Sequence, residues 1–140
     1  MGGRGTFSEG KIVPYQYEVD KSATPTGTWE GVKILKGIEG TGKHGLPESS
    51  HSSNAYIKLD HNGVFREMRF YDNNHVLYLE IGYHGEYSLT GDRNKPVLHY
   101  HVYDENFSRS PNGHFERSKA AYLTEEMMGK YKKYFKGVSL

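Results

Sequence analysis

The strongest constraint on the fold lies between residues 54 and 84, where three β-patterned runs are separated by tight-turn chemistry. Ala55, Ile57 and Leu59 alternate with Tyr56, Lys58 and Asp60, so side chains of opposite character point to opposite faces. Asn62-Gly63 follows, a pair that accepts the positive φ of a hairpin turn. The run from Val64 to Tyr71 alternates again, Asp72-Asn73-Asn74 supplies a second turn, and His75 to His84 forms a third run. The chain there predicts a three-stranded antiparallel meander.

The flanking segments extend this sheet. Pro96 to Tyr103 reads as a further strand, with proline tolerated at its first position. Two shorter candidates precede the meander, one from Ile12 to Val19 with Pro14 marking an edge or bend, and one from Trp29 to Ile38. Near the end, Thr124 stands as an N-cap before Glu125 and Glu126, and Met127, Met128, Tyr131, Tyr134 and Phe135 recur at helical spacing. Lys130, Lys132, Lys133 and Lys136 gather toward Gly137, where cations complement the helix dipole. The expected fold class is α+β, a curved antiparallel sheet with a C-terminal amphipathic helix on one face. An all-β barrel carrying a terminal helix is the nearest competing architecture. Residues 1–10, with four glycines, read as a flexible opening, and residues 11–140 as a single domain. Residues 39–53, rich in Gly and Ser and holding His44 and His51, read as a long flexible loop.

Composition narrows the chemistry. Leu, Ile, Val and Phe make a fifth of the 140 residues, and 12 Tyr supply amphipathic burial in their place. With 18 basic and 17 acidic residues, bulk electrostatics cannot drive nucleic-acid binding, although a local basic patch can. The absence of cysteine removes disulfides, thiolate zinc sites and a cysteine nucleophile together. No apolar run nears the roughly 18 residues of a membrane span, and the opening residues lack a signal-type apolar core, so no membrane association is expected. Gly42-Lys43 lacks the spaced glycines and Ser/Thr of a phosphate loop.

Candidate chemistry follows from strand parity. Leu77, Leu79, Ile81 and Tyr83 share one face, while Tyr78, Glu80, Gly82 and His84 share the other. On the following strand Val97, His99, His101 and Tyr103 lie opposite Leu98, Tyr100 and Val102. If the polar faces coincide, Glu80, His84, His99 and His101 meet, with Arg69 of the middle strand beside them. Imidazoles suit acid–base work near neutral pH, and an arginine suits a developing phosphorane charge, so metal-free RNA cleavage is one expected chemistry. The other is a metal site on His99, His101 and Glu105, an H-x-H-x-x-x-E spacing of the cupin kind that lacks its second downstream motif. A merely polar strand face is the plainer alternative. For His44, His51, His61, His75 and His114 taken singly it is the preferred one.

Arg69-Phe70-Tyr71-Asp72, Glu80-Ile81-Gly82-Tyr83-His84, and Pro96 followed by His99-Tyr100-His101 resemble small histidine-rich domains linked to phage head-morphogenesis proteins and polymorphic toxins. Those domains are similar to the barnase–EndoU–colicin–RelE-like nuclease group, and the match spans about residues 55–103. The resemblance implies a curved antiparallel sheet packed by helices, RNA as substrate, no cofactor, and acid–base roles on His84, His99 and His101. It also implies residence in the cytoplasm of a host cell that carries a phage or mobile element. Glu80 stands where the group has Asp, and His99 is separated from Pro96 rather than adjacent to it. Two other employments stay open: a non-enzymatic accessory protein that binds and blocks a host factor such as a defence system, and a metal-binding or virion-associated protein.

Overall fold

The computed structural model describes residues 6–8, 11–13, 17–37, 46–47, 49–50, 52–103 and 117–140. Its elements are β1 (Thr6–Ser8), β2 (Lys11–Val13), β3 (Tyr17–Val19), β4 (Thr28–Trp29), β5 (Val32–Gly37), β6 (Ala55–Leu59), β7 (Phe65–Tyr71), β8 (Leu77–Gly85), α1 (Tyr87–Thr90), β9 (Pro96–Val102), β10 (Ala121–Tyr122) and α2 (Glu125–Tyr131). A 3-10 turn, Lys132–Tyr134, continues α2. The main sheet runs β10-β9-β8-β7-β6-β5-β3, with β4 also paired to β5. Its pairings are antiparallel except β5 with β6, which is parallel. The fold is α+β, an open curved sheet with a short C-terminal helix. Near the N-terminus β1 pairs antiparallel with β2 in a separate two-stranded ribbon.

The meander β6-β7-β8 forms as its turn chemistry predicts, and both turns use one device. Asp60 Oδ1 accepts from the amides of Asn62 (2.8 Å) and Val64 (3.0 Å). Asp72 Oδ1 accepts from Asn74 (2.8 Å) and Val76 (3.1 Å). An Asp side chain thereby closes each turn on its own backbone. The fourth turn residue has positive φ in both, 79° at Gly63 and 65° at His75.

Each face of the sheet is covered. On one, Ile34, Ile57, Phe65, Met68 and Ile81 pack with Phe135 and with Met127, Met128 and Tyr131 of the helical end. Thr124 caps α2 by accepting from the Met127 amide at 3.1 Å. The rings of Phe65 and Phe135 lie 4.8 Å apart. On the other face Tyr17, Leu35, Leu46, Tyr56, Tyr71, Leu77 and Tyr103 form a second, tyrosine-rich core. Leu77 lies there, not beside Leu79, because the register slips between Phe70 and Tyr71 and sets Tyr71 opposite Leu77. One extra residue in a strand reverses the parity of everything beyond it.

Leu46 and Pro47 of the 39–53 segment are built into this second core. Leu46 and Pro47 are buried, the Leu46 amide donates to Glu67 Oε1 (2.9 Å), and Tyr71 Oη donates to the Pro47 carbonyl (2.6 Å). Ser49 bridges to Val76. His44, His51, Glu105 and His114 lie outside the described residues. Among the described residues, no helix is long and apolar enough to cross a membrane.

Candidate functional site: an imidazole row beside a buried ion pair

The sheet register assembles the site. Cross-strand partners share a face, so β6, β7, β8 and β9 place Tyr56, Arg69, Glu80 and His101 in one rung opposite the helix. The neighbouring rung is Lys58, Glu67, Gly82 and His99, continued on β10 by Tyr122. His84, across from Val97, begins the next. Strand alternation therefore brings His84, His99, His101, Glu80 and Arg69 onto one face, and side-chain geometry divides them into two functional groups.

The first group is an ion-pair network. Arg69 Nε donates to Glu80 Oε2 at 2.6 Å, and Arg69 Nη1 donates to the Leu46 carbonyl at 2.6 Å. Arg117 Nη1 reaches Glu80 Oε1 at 3.4 Å, and Glu67 Oε1 lies 3.6 Å from Arg69 Nε. The Tyr103 ring lies under the Arg69 guanidinium, 6.0 Å from centroid to Cζ. Burial opposes ionisation of Glu80, yet the Arg69 charge and hydrogen bond outweigh it and hold the carboxyl below its ordinary value. Burial likewise opposes the Arg69 charge, and Glu80 and Glu67 reverse that, so Arg69 stays cationic. Arg69 Nε and Nη1 are spent on Glu80 and the Leu46 carbonyl and the side chain is 14% exposed, so Arg69 organises the face. Arg117, with 48% of its side chain exposed, is the cation of this network that reaches the surface.

The second group is a row of imidazoles. The His84 and His99 rings meet edge to face at 4.6 Å, and His99 and His101 do so at 5.6 Å. Each Nδ1 faces a carbonyl oxygen: His84 that of Gly85 (3.1 Å), His99 that of Val97 (2.8 Å), His101 that of Ser118 (2.8 Å). A carbonyl only accepts, so each Nδ1 carries its proton and each neutral ring keeps its lone pair on Nε2. The Ser118 carbonyl is itself fixed, because the Ser118 amide donates to the Val102 carbonyl and Ser118 Oγ accepts from the Val102 amide, both at 2.8 Å. The His99 side chain is 0% exposed, and among the described residues nothing bonds its Nε2. Burial, with His84 and His101 as neighbours, lowers the His99 pKa against the pull of the Val97 carbonyl. His99 is thus neutral near pH 7.

Besides Arg117, two residues missed by sequence reasoning complete the arrangement. Glu86, the residue before α1, holds Oε2 4.0 Å from His99 Nε2, while its Oε1 accepts from Ser88 Oγ at 2.8 Å. One ligand atom from each of Glu86, His99 and His101 falls within 4.8 Å of the others. Parity already carried this signal, since 80, 82, 84 and 86 share alternation and only the assumed strand end hid the last. Gly82 is the second: a Cβ there would lie 2.9 Å from His84 Nε2 and 3.2 Å from His99 Cε1. The bare glycine is what lets those rings close over the strand. His61 and His75 stand in turns, as their spacing suggests.

The arrangement offers three imidazole lone pairs, the Glu86 carboxylate beside them, and a cation at the rim. No family model, curated protein or solved structure matches the chain.

Proposed function

We propose that the His84–His99–His101 row is an acid–base site that cleaves RNA without a metal. The observation that carries this reading is the common tautomer: three Nδ1 atoms bonded to carbonyls leave three Nε2 atoms for proton transfer within one contiguous row. One Nε2 accepts the proton of a ribose 2′-hydroxyl, and that oxygen forms a bond to the adjacent phosphorus. The bond from phosphorus to the 5′-oxygen breaks, and a second, protonated imidazole delivers a proton to the leaving oxygen. The products are a 2′,3′-cyclic phosphate and a free 5′-hydroxyl. His99 is sealed within the row, so the exchange falls to its flanking rings, half-buried His84 and the more deeply set His101, which is 5% exposed. Arg117 supplies charge to the phosphorane-like transition state, while Arg69 holds Glu80 and with it the register beneath His101.

Exposed aromatics also suit an RNA strand. Tyr87 follows Glu86, and Tyr122 is the β10 neighbour of His99, its hydroxyl donating to the Leu89 carbonyl at 2.8 Å. Bases stack on such rings with little sequence preference. The same exposed tyrosines favour a second reading, a protein partner in the host, through the anchors interfaces prefer. The test uses end-labelled tRNA and mixed RNA with the full chain, with and without EDTA. Cleavage by wild type that falls by about 10²-fold or more in His84→Ala and His101→Ala variants supports the RNA reading. No cleavage by wild type, or equal cleavage by a His99→Ala/His101→Ala double variant, rejects it. A stoichiometric protein captured from host lysate by an inactive chain then favours the partner reading.

A further inference from the structure

We infer that Glu86, His99 and His101 form a binding site for a divalent transition cation of the zinc type, and that its occupancy silences the imidazole row. The silencing rests on the acid–base reading above; the binding does not.

Three independent features point to a cation. The donor atoms, two imidazole nitrogens and one carboxylate oxygen, are those that borderline cations take, and they already lie within 4.8 Å of one another. A tetrahedral zinc with bonds of about 2.0–2.1 Å holds its ligands roughly 3.3 Å apart, so closure by at most about 1.5 Å brings these three donors to bonding geometry. Glu86 can supply that movement, being one residue outside the sheet with a quarter of its side chain exposed. Next, His99 Nε2 is fully buried and lacks a partner among the described residues, while facing a carboxylate 4.0 Å away. A buried lone pair without a donor has a cost that a cation removes. Finally, the far nitrogen of each histidine ligand is anchored to a backbone carbonyl at 2.8 Å. That outer contact orients metal-binding imidazoles and raises their basicity.

The consequence follows from electron-pair bookkeeping. A lone pair given to a cation cannot accept a ribose proton, so the row cannot be both occupied at His101 and active there. The H-x-H pair is the one singled out in the sequence; Glu105, expected there as its carboxylate, lies outside the described residues, and Glu86 supplies the carboxylate of this cluster.

Metal-stripped full-length protein is titrated with Co²⁺ and Zn²⁺ by calorimetry and by the visible Co²⁺ spectrum. One equivalent should bind, and Glu86→Gln, which keeps size and the Ser88 contact, should weaken binding by about tenfold or more. His101→Gln should do the same, and a far-ultraviolet circular dichroism spectrum checks that each variant is folded. Absence of binding, or unchanged affinity in both folded variants, overturns the site. RNA cleavage is then measured with and without one equivalent of Zn²⁺. Loss of cleavage by about tenfold, restored by EDTA, supports silencing; stimulation by Zn²⁺ overturns it. Cation binding by a protein that never cleaves RNA refutes the acid–base reading and leaves the cation site standing.

Discussion

Replacing Arg69 by methionine isolates what the buried ion pair contributes to the sheet beneath the imidazole row. The change removes the 2.6 Å bond to Glu80 and the 2.6 Å bond to the Leu46 carbonyl together. Glu80, with only 6% of its side chain exposed, then keeps, among the described residues, the more distant Arg117 at 3.4 Å. Stripping one member from a buried pair costs about 3–5 kcal/mol, because the remaining charge stays in a poorly solvated place. For a chain of this size that corresponds to a fall in Tm of about 10–20 °C. Glu80→Leu should cost somewhat less, since Arg69 would retain the Leu46 carbonyl at 2.6 Å and Glu67 at 3.6 Å. The informative variant is the double one, Arg69→Met/Glu80→Leu. With both charges gone, the residual loss is the unsatisfied Leu46 carbonyl, about 1–3 kcal/mol. The double variant should therefore be more stable than either single variant. Urea unfolding followed by circular dichroism gives all four corners of the cycle. Single variants within about 1 kcal/mol of wild type, or a double variant whose loss equals the sum of the singles, would refute the claim that a desolvated charge pair organises this face.

Further outcomes follow from other parts of the structure. Gly82→Ala places a Cβ 2.9 Å from His84 Nε2, so it should separate the rings and cut both RNA cleavage and Zn²⁺ affinity by about tenfold or more. Its stability cost should stay within about 1–3 kcal/mol, as overpacking usually does, which thermal unfolding checks. Thr124→Ala removes the cap on the Met127 amide and should cost about 1 kcal/mol without touching cleavage. Phe135→Ala should cost about 3–5 kcal/mol, because its ring is buried against Phe65. Burial raises the Tyr71 pKa well above its ordinary value despite the nearby Arg69 charge. Stability from Tyr71 is accordingly complete below about pH 10, the unfolded value, and is lost as pH climbs toward the folded one. Absorbance titration at alkaline pH should show a fraction of tyrosines ionising only with unfolding, and Tyr71→Phe should diminish that fraction.

Local chemistry in the chain was sufficient for the meander, the Pro96 strand and the capped terminal helix. Each rests on short-range rules: Asp-closed turns at Asp60 and Asp72, period-two alternation, and Thr124 before a 3.6-residue stripe. Alternation also placed His84, His99, His101, Glu80 and Arg69 on one face, because the strands β8 and β9 pair without a slip between Leu79 and Gly85. Long-range events decided the rest. The slip between Phe70 and Tyr71 moved Leu77 to the other face, and no local pattern reports a register slip. Leu46 and Pro47, in a segment that reads as loop, entered the tyrosine core because Arg69 and Tyr71 needed buried carbonyl acceptors. The parallel pairing of β5 with β6 depends on a crossover that periodicity does not encode. Which residues alternate is a property of neighbouring peptides, and the sequence alone could state it. Whether Arg69 is spent on Glu80 or free for a ligand, and whether Glu86 turns toward His99, depends on groups distant in the chain, so only the tertiary structure decided it.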